Sequence, residues 1–184
     1  QPTLTISSPT NPVNGAFIAT LTFSEDVTGF AMSDITASNA ILSNFNSTSA
    51  TVYTVVVTPS VEGAVNLDVA ATAALDVANN GNVAANQFTV NYDPTPPTID
   101  ISGPTAPVNA AFTATFTFNE AVTGFEISDV AASNANLSNF IATSSTVYTA
   151  TVTPVTEGTV TLDVANSVAV ESAGISNAAA AQFS

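Results

Sequence analysis

The amino-acid sequence predicts an all-β protein that consists of two similar antiparallel β-sandwiches in tandem. An internal repeat is the first observation, because residues 2–89 align without a gap with residues 97–184, with 53 identities in 88 positions. Composition is the second, since hydrophobic residues make up 46% of the chain and Val, Thr and Phe, which favour strands, are abundant. The third is a series of short alternating segments separated by Pro, Gly and Asn.

The first repeat contains seven segments with the length and alternation of strands. In chain order these are Thr3–Ser7, Ala16–Phe23, Gly29–Thr36, Ala40–Phe45, Thr51–Thr58, Gly63–Ala70 and Asn86–Asp93. The residues expected to face inward in the two clearest segments are Phe17, Ala19, Leu21 and Phe23, and Val65, Leu67 and Val69. Residues 70–78 are expected to form a loop, because they lack a helical apolar stripe. Seven short strands in such a unit indicate a sandwich of the immunoglobulin type.

The repeat also predicts the domain limits. Residues 1–93 form the first domain, residues 94–97 a proline-rich linker and residues 98–184 the second domain. The second repeat stops at Ser184, short of the "TVNYD" that closes the first. Either the chain is cut from a longer array, or a neighbouring molecule supplies the rest of the last strand.

The charge composition excludes several classes of function. The chain has fourteen acidic residues and no Lys, Arg or His, so the formal net charge is −14. Nucleic acid is not an expected partner, since phosphate contacts need basic side chains. No apolar run approaches the roughly 20 residues that span a membrane, and direct membrane insertion is not expected. Without His, Cys, Lys or Arg most nucleophile–base pairs cannot form, so we expect that the protein is not an enzyme. The composition does permit a catalytic pair of carboxylates of the glycosidase type.

Several motifs resemble those of the bacterial Ig-like repeats of large surface adhesins. The matching stretches are "FSEDVTGF", "ILSNF", "TVYTVVVTP", "EGAVNLDVA" and "LDVANNGN", and most of them recur in the second repeat. The resemblance implies an extracellular domain that acts as a stiff spacer, strung in series with other Ig-like repeats. It also implies that Ca²⁺ stiffens the junctions between such domains.

Carboxylates are expected to converge where the first domain meets the second. If the strands run alternately down and up, the candidate oxygen ligands for Ca²⁺ are Glu62 and Asp93 of the first domain, Asp100 near the linker, and Glu120 and Glu171 of the second. Converging carboxylates repel each other, and a bound cation would relieve that repulsion. The alternative is that water solvates these acids and that the prolines alone stiffen the linker.

A second candidate for Ca²⁺ is "DVANNGN", with Asp76, Asn79 and Asn82 as oxygen ligands. It lacks the distant bidentate glutamate of an EF-hand. The favoured interpretation is a hairpin turn in which Asn80–Gly81 supplies the residues with positive φ.

The remaining conspicuous side chains have structural interpretations. Asp34 and Asp129 are expected to accept hydrogen bonds from turn amides, and Asp68 and Asp163 to be solvated on the outer face. The aromatic residues are expected in the core, which disfavours carbohydrate binding. Two alternatives to the spacer therefore remain, a filament of identical subunits joined by strand addition and, less favoured, a carbohydrate-binding module.

Overall fold

The computed structural model describes residues 1–184 and divides into two compact units, Gln1–Pro94 and Thr95–Ser184. Both units are antiparallel β-sandwiches without an α-helix, so the predicted fold class is confirmed. Pro97 is buried, and its carbonyl accepts a hydrogen bond from the Ala178 N–H at 2.8 Å, which makes this proline part of the second unit. No helix has the length and apolar character needed to cross a membrane.

The first domain contains nine strands. They are β1 (Leu4–Ser7), β2 (Phe17–Phe23), β3 (Val27–Thr28), β4 (Ile35–Ser38), β5 (Ala40–Ser47), β6 (Val52–Pro59), β7 (Gly63–Val69), β8 (Leu75–Asp76) and β9 (Phe88–Tyr92). One sheet has the order β1-β2-β6-β5 and the other the order β4-β7-β9, while the short β3 and β8 pair with each other. This is the strand arrangement of an immunoglobulin-type sandwich.

The core of the first domain follows the predicted alternation. Buried residues of β2 alternate with exposed or half-buried ones, and the same holds in β7. Leu21 and Leu67, one from each sheet, are completely buried and lie in the same hydrophobic cluster. The aromatic residues also lie in or against this core, as expected, and four of them form a cluster with ring centroids 5.1–5.8 Å apart, namely Phe23, Phe30, Phe45 and Tyr53.

The second domain repeats this plan with six strands. They are β10 (Ile99–Ser102), β11 (Phe112–Phe118), β12 (Val130–Ser133), β13 (Ala135–Ala142), β14 (Val147–Pro154) and β15 (Thr161–Val164). The order β10-β11-β14-β13 matches that of the first four-stranded sheet, and β12 pairs with β15. The register is preserved as well, because Phe116 opposes Tyr148 as Leu21 opposes Tyr53.

The predicted strand Gly29–Thr36 is wrong, because β3 ends before Gly29 and β4 begins only at Ile35. Gly29 has a φ of +85°, which ends β3, and a 3₁₀ turn at Met32–Asp34 precedes β4. The Asp34 carboxylate closes that turn by accepting a hydrogen bond from the Ala31 N–H at 2.8 Å. Asp129 accepts the equivalent bond from the Glu126 N–H at 2.7 Å, so the predicted role of both aspartates is confirmed.

Candidate functional site

The clearest polar site of the first domain is the turn of "DVANNGN", which β8 leads into. The buried Asp76 carboxylate accepts three hydrogen bonds, from the Ala78 N–H at 2.8 Å, the Asn80 N–H at 2.8 Å and the Asn80 Nδ2 at 2.9 Å. These bonds hold the pKa of Asp76 below its ordinary value of 3.8, the side-chain bond from Asn80 contributing most, and burial opposes the shift. The turn therefore stabilises a buried carboxylate with its own N–H groups.

The predicted positive φ at Asn80–Gly81 is wrong. Asn79 has the positive φ, at 62°, and Gly174 takes the same position in the second domain with a φ of 85°. The reason is that Asp76 binds the N–H groups of Ala78 and Asn80, which places the left-handed residue between them.

Gly81 has a different role, which is to allow close approach. A Cβ at this position would lie 2.7 Å from Cγ2 of Thr72, whose own φ is 65°. In the second domain Ser167 replaces Thr72 and Ser176 replaces Gly81. The domain that has a Cβ in place of the glycine therefore lacks the threonine methyl group that this Cβ would meet.

Asn82 belongs to the framework of the same turn. It is 1% exposed, its Oδ1 accepts from the Ala74 N–H at 2.8 Å, and its Nδ2 donates to the carbonyls of Ala70 and Val83. Asp76 and Asn82 are thus both engaged with the protein, while Asn79 is exposed. Ca²⁺ binding by these three residues stays a prediction.

The second domain keeps the turn with a glutamate in place of the aspartate. Glu171 is 6% exposed and accepts hydrogen bonds from the N–H groups of Ala173 and Ile175. Asn177 repeats the contacts of Asn82, with bonds to Ala169, Ala165 and Ala178. A carboxylate oxygen of Glu120 also lies within 4.8 Å of one of Glu171, so the structure brings these two predicted residues together. Two carboxylates at this distance suit a divalent cation with oxygen ligands.

The other residues predicted as ligands of the junction are Glu62, Asp93 and Asp100. Glu62 is exposed just before β7, and Asp93 is half-buried just after β9, with its N–H bonded to the Val13 carbonyl at 2.9 Å. Gly63 pairs with Tyr92, so Glu62 and Asp93 lie at the same end of the first domain. Asp100 is exposed in β10, on the face of the strand opposite to that of Ile99, and its role as a Ca²⁺ ligand stays a prediction.

Asp68 and Asp163 lie on the outer face between buried Leu and Val, as predicted, and each also contacts a glutamine. Gln87 Nε2 lies 3.2 and 3.0 Å from the two oxygens of Asp68, and Gln182 Nε2 lies 2.9 Å from both oxygens of Asp163. Each carboxylate faces a glutamine on the neighbouring segment.

The second domain also has a groove of about 640 Å³, which the sequence does not predict and whose lining includes the last residue, Ser184. We call it the open groove; its lining includes Val108, Phe112, Gly158, Val160 and Phe183. In the first domain β9 pairs with β7 at the equivalent place. In the second domain only an isolated bridge between Leu162 and Phe183 remains of that pairing.

Comparison with known proteins links both halves of the chain to one family model. Residues 1–92 and residues 93–184 each match the model described as bacterial Ig-like domain. No match is found among curated proteins.

Three solved structures are similar at low sequence identity. The Escherichia coli adhesin FdeC is 16% identical, with a TM-score of 0.48, and the match covers 99% of this chain and 62% of that one. Yersinia pseudotuberculosis adhesin InvE is 19% identical, with a TM-score of 0.36 and coverage of 95% and 56%. InvD of the same organism is 19% identical, with a TM-score of 0.43 and coverage of 99% and 56%. The chain thus spans less than two thirds of each structure.

Proposed function

Because the chain belongs to the bacterial Ig-like domain family, with one domain in each half, we propose that it is a spacer module of an extracellular adhesin or fibre. The observation that carries this proposal is that two copies of one sandwich domain account for the whole of residues 1–184. The family match runs from residue 1 to residue 184, and the conspicuous side chains of both copies serve cores and turns. An extracellular location and neighbouring Ig-like repeats as partners belong to the same proposal.

The pairing of the terminal segments in the first domain suits a load-bearing role. Next to the N-terminal strand, the Val13 N–H donates to the Asn91 carbonyl at 2.9 Å, and the Asp93 N–H donates to the Val13 carbonyl at 2.9 Å. Val13 and Tyr92 form a parallel bridge. Because Asn91–Asp93 lie at the C-terminal end of the first domain, force applied at that end acts directly on these hydrogen bonds.

Single-molecule pulling between the two ends of the chain tests the spacer role. We expect two separate unfolding events, each releasing about 90 residues and hence roughly 300 Å of extended chain before the folded span is subtracted. Val13→Pro removes the N–H that bonds to Asn91 and should lower the unfolding force of one event only. Val108→Pro, at the equivalent position of the second domain, is the matched control. Unfolding without measurable resistance in both domains would contradict the proposal.

A second candidate function is a filament of identical subunits joined by strand addition. The physical basis of this alternative is that an extended segment of one subunit can add a strand to a free sheet edge of its neighbour. Concentration-dependent polymers in sedimentation experiments would support this function over the spacer.

We also propose that Ca²⁺ binds at the carboxylates of Glu120 and Glu171 in the second domain. Their approach within 4.8 Å supports this, since bound Ca²⁺ would offset the repulsion between them. Thermal unfolding in Ca²⁺ and then in chelator is the test, with Glu120→Gln as the variant and Asp163→Asn as the matched control. We expect Ca²⁺ to raise the midpoint of the wild type and of the control only. Identical curves in Ca²⁺ and chelator would overturn the calcium proposal and leave the spacer role unaffected.

A further inference from the structure

One edge of the four-stranded sheet is free of charge in both domains. The edge strands are β5 in the first domain and β13 in the second, and each pairs with a neighbour on one side only. All fourteen acidic residues lie outside residues 35–61 and 130–156, which contain these strands. Charged side chains and Pro commonly protect sheet edges from pairing, and neither edge strand contains them.

Each edge strand also exposes one large apolar side chain and one amide on its outer face. Ile41 is 69% exposed at the start of β5, and Asn46 is exposed near its end. In β13 the order is reversed, because Asn136 comes near the start and Ile141, which is 58% exposed, comes near the end. Antiparallel strands run in opposite directions, so the reversed order places like side chains opposite each other.

Antiparallel pairing of β5 with β13 of a second copy matches these side chains in a single register. Five residues separate Ile41 from Asn46, and five separate Asn136 from Ile141. With Ile41 opposite Ile141, Asn46 therefore lies opposite Asn136. Pairing of β5 with another β5, with inward residues opposite inward residues, would instead place Ile41 opposite Asn46. The side chains thus favour a contact between the unlike domains of two copies.

The backbone groups on the free sides of the two strands are in phase in this register. The Asn39 carbonyl accepts a hydrogen bond at 3.0 Å from the segment that follows β6, so alternation directs the N–H and carbonyl of Leu42 away from β6. In the second domain Thr143 donates its N–H to β14 at 2.9 Å, which directs the backbone groups of Phe140 away from β14. Leu42 and Phe140 lie opposite each other in this register, so their backbone groups can bond.

The same register holds beyond the bulges of both strands. Asn44 and Asn139 each have a φ of 49° at the bulge, and they fall on neighbouring pairs. Phe45 then lies opposite Leu137, and both side chains pack against the core of their own domain. Because inward residues oppose inward residues on both sides of the bulges, the two sheets continue as one without a change of face.

Charge also selects this edge for contact between copies. Two copies each carry a net charge of −14, so surfaces that present carboxylates repel each other. Residues 35–61 and 130–156 are the longest segments of the chain without a charged residue. The opposite edge of the same sheet carries Asp100 in the second domain. A second copy therefore meets the least repulsion at β5 and β13.

We propose that two copies of this chain associate side by side through β5 of one copy and β13 of the other. The pairing joins two four-stranded sheets edge to edge, with Ile41 against Ile141 and Asn46 beside Asn136. Each copy offers both strands, so further copies can add laterally and bundle the spacers. The spacer role does not depend on this contact, because pulling on a single chain measures that role without a second copy.

Disulfide trapping tests the register, since the chain has no native cysteine. In a cross-strand pair without mutual hydrogen bonds the Cα atoms lie about 4.5 Å apart, which suits a disulfide. Ile41→Cys mixed with Ile141→Cys should therefore form a cross-linked dimer in a glutathione buffer. Either variant alone should cross-link at least about tenfold more slowly, because its sulfur atoms do not come within bonding distance. Ile41→Cys mixed with Asn46→Cys is the matched control for pairing between two β5 strands, and it should be equally slow.

Sedimentation equilibrium in about 10 mM and about 1 M NaCl tests the association itself. Salt shortens the range of repulsion from roughly 30 Å to 3 Å, so the dimer should be favoured in 1 M NaCl. Ile41→Asp should weaken association at least about fivefold, because it brings a charge against Ile141. Ile18→Asp is the matched control, since Ile18 is 54% exposed on an inner strand and the variant adds the same charge. Thermal midpoints show that each variant folds.

Three results would overturn the proposal. They are the absence of a dimer in 1 M NaCl, equal cross-linking of Ile41→Cys with Asn46→Cys and with Ile141→Cys, and association of Ile41→Asp as strong as that of Ile18→Asp. Polymers that form equally in these two aspartate variants would belong to the strand-addition filament instead. None of these results bears on the unfolding forces of a single chain, which test the spacer role.

Discussion

At the scale of residues, this protein holds its carboxylates with N–H groups instead of basic side chains. Asp34, Asp76 and Glu171 each accept hydrogen bonds from nearby backbone amides. No carboxylate can pair with a basic side chain, because the chain has no Lys, Arg or His. Turn geometry thus performs the task that Lys and Arg perform in most proteins.

Asp76→Asn should change how the stability of the first domain depends on pH. The pKa of Asp76 is lowered in the folded state, so its contribution is present above the unfolded pKa of 3.8 and is lost as pH falls through the folded pKa. The variant should be less stable at pH 7 and lose less stability below pH 4. Hydrogen exchange of first-domain amides measures this, with the second domain as internal control. Parallel pH profiles for variant and wild type would contradict it.

Gly81→Ala should destabilise the first domain by about 1–3 kcal/mol, because the new Cβ meets Thr72 at 2.7 Å. Thr72→Ser removes the methyl group and should recover part of this loss, since Ser167 and Ser176 coexist in the second domain. Chemical unfolding of the two single variants and the double variant forms a double-mutant cycle. Additive effects would show that the two side chains do not interact.

At the scale of elements, Asn39 joins the two sheets of the first domain. It connects β4 to β5 with a φ of 59°, and its side chain bonds to the N–H and carbonyl of Val61 and to the carbonyl of Ala64. Asn134 makes the corresponding contacts in the second domain. A single residue thereby fixes both the corner and the loop before β7.

Substitution of Asn39 should separate the contribution of its left-handed backbone conformation from that of its side-chain hydrogen bonds. Asn39→Gly keeps the left-handed backbone and loses the hydrogen bonds, whereas Asn39→Ala loses the bonds and strains the backbone as well. We expect both variants to be destabilised, the alanine variant by about 1 kcal/mol more. Urea unfolding gives the difference. An alanine variant as stable as the glycine variant would show that strain at this corner is negligible.

The sequence predicts strands better than it predicts their contacts. Alternation is a local property, so the burial of Leu21 and Leu67 follows from the strand that each occupies. The contact of Asp68 with Gln87 depends on pairing between distant segments, which no local pattern contains. At the candidate site, the sequence predicts a turn that contains Asp76, but the left-handed conformation of Asn79 follows from which amides the Asp76 carboxylate binds.

At the scale of the whole molecule, uncompensated charge should make stability depend strongly on salt. The net charge is −14, and its mutual repulsion is screened over about 10 Å at 0.1 M salt and about 3 Å at 1 M. Raising NaCl from about 10 mM to 1 M should therefore raise the unfolding midpoint of both domains. Tetramethylammonium chloride should act similarly if screening is the cause. A midpoint that is unchanged or lower in salt would contradict this account.

The turn of the first domain also contains an Asn–Gly pair, a type of site at which proteins age chemically. Asn80 precedes Gly81, and such pairs deamidate when the glycine nitrogen attacks the asparagine side chain. In the folded domain the Asn80 Nδ2 is bound to Asp76 at 2.9 Å, which restrains that attack. Deamidation would also place a second carboxylate beside Asp76. The second domain has Ile175–Ser176 at the equivalent positions and cannot undergo this reaction there. The rate at which Asn80 loses ammonia would therefore report how often the turn of the first domain opens.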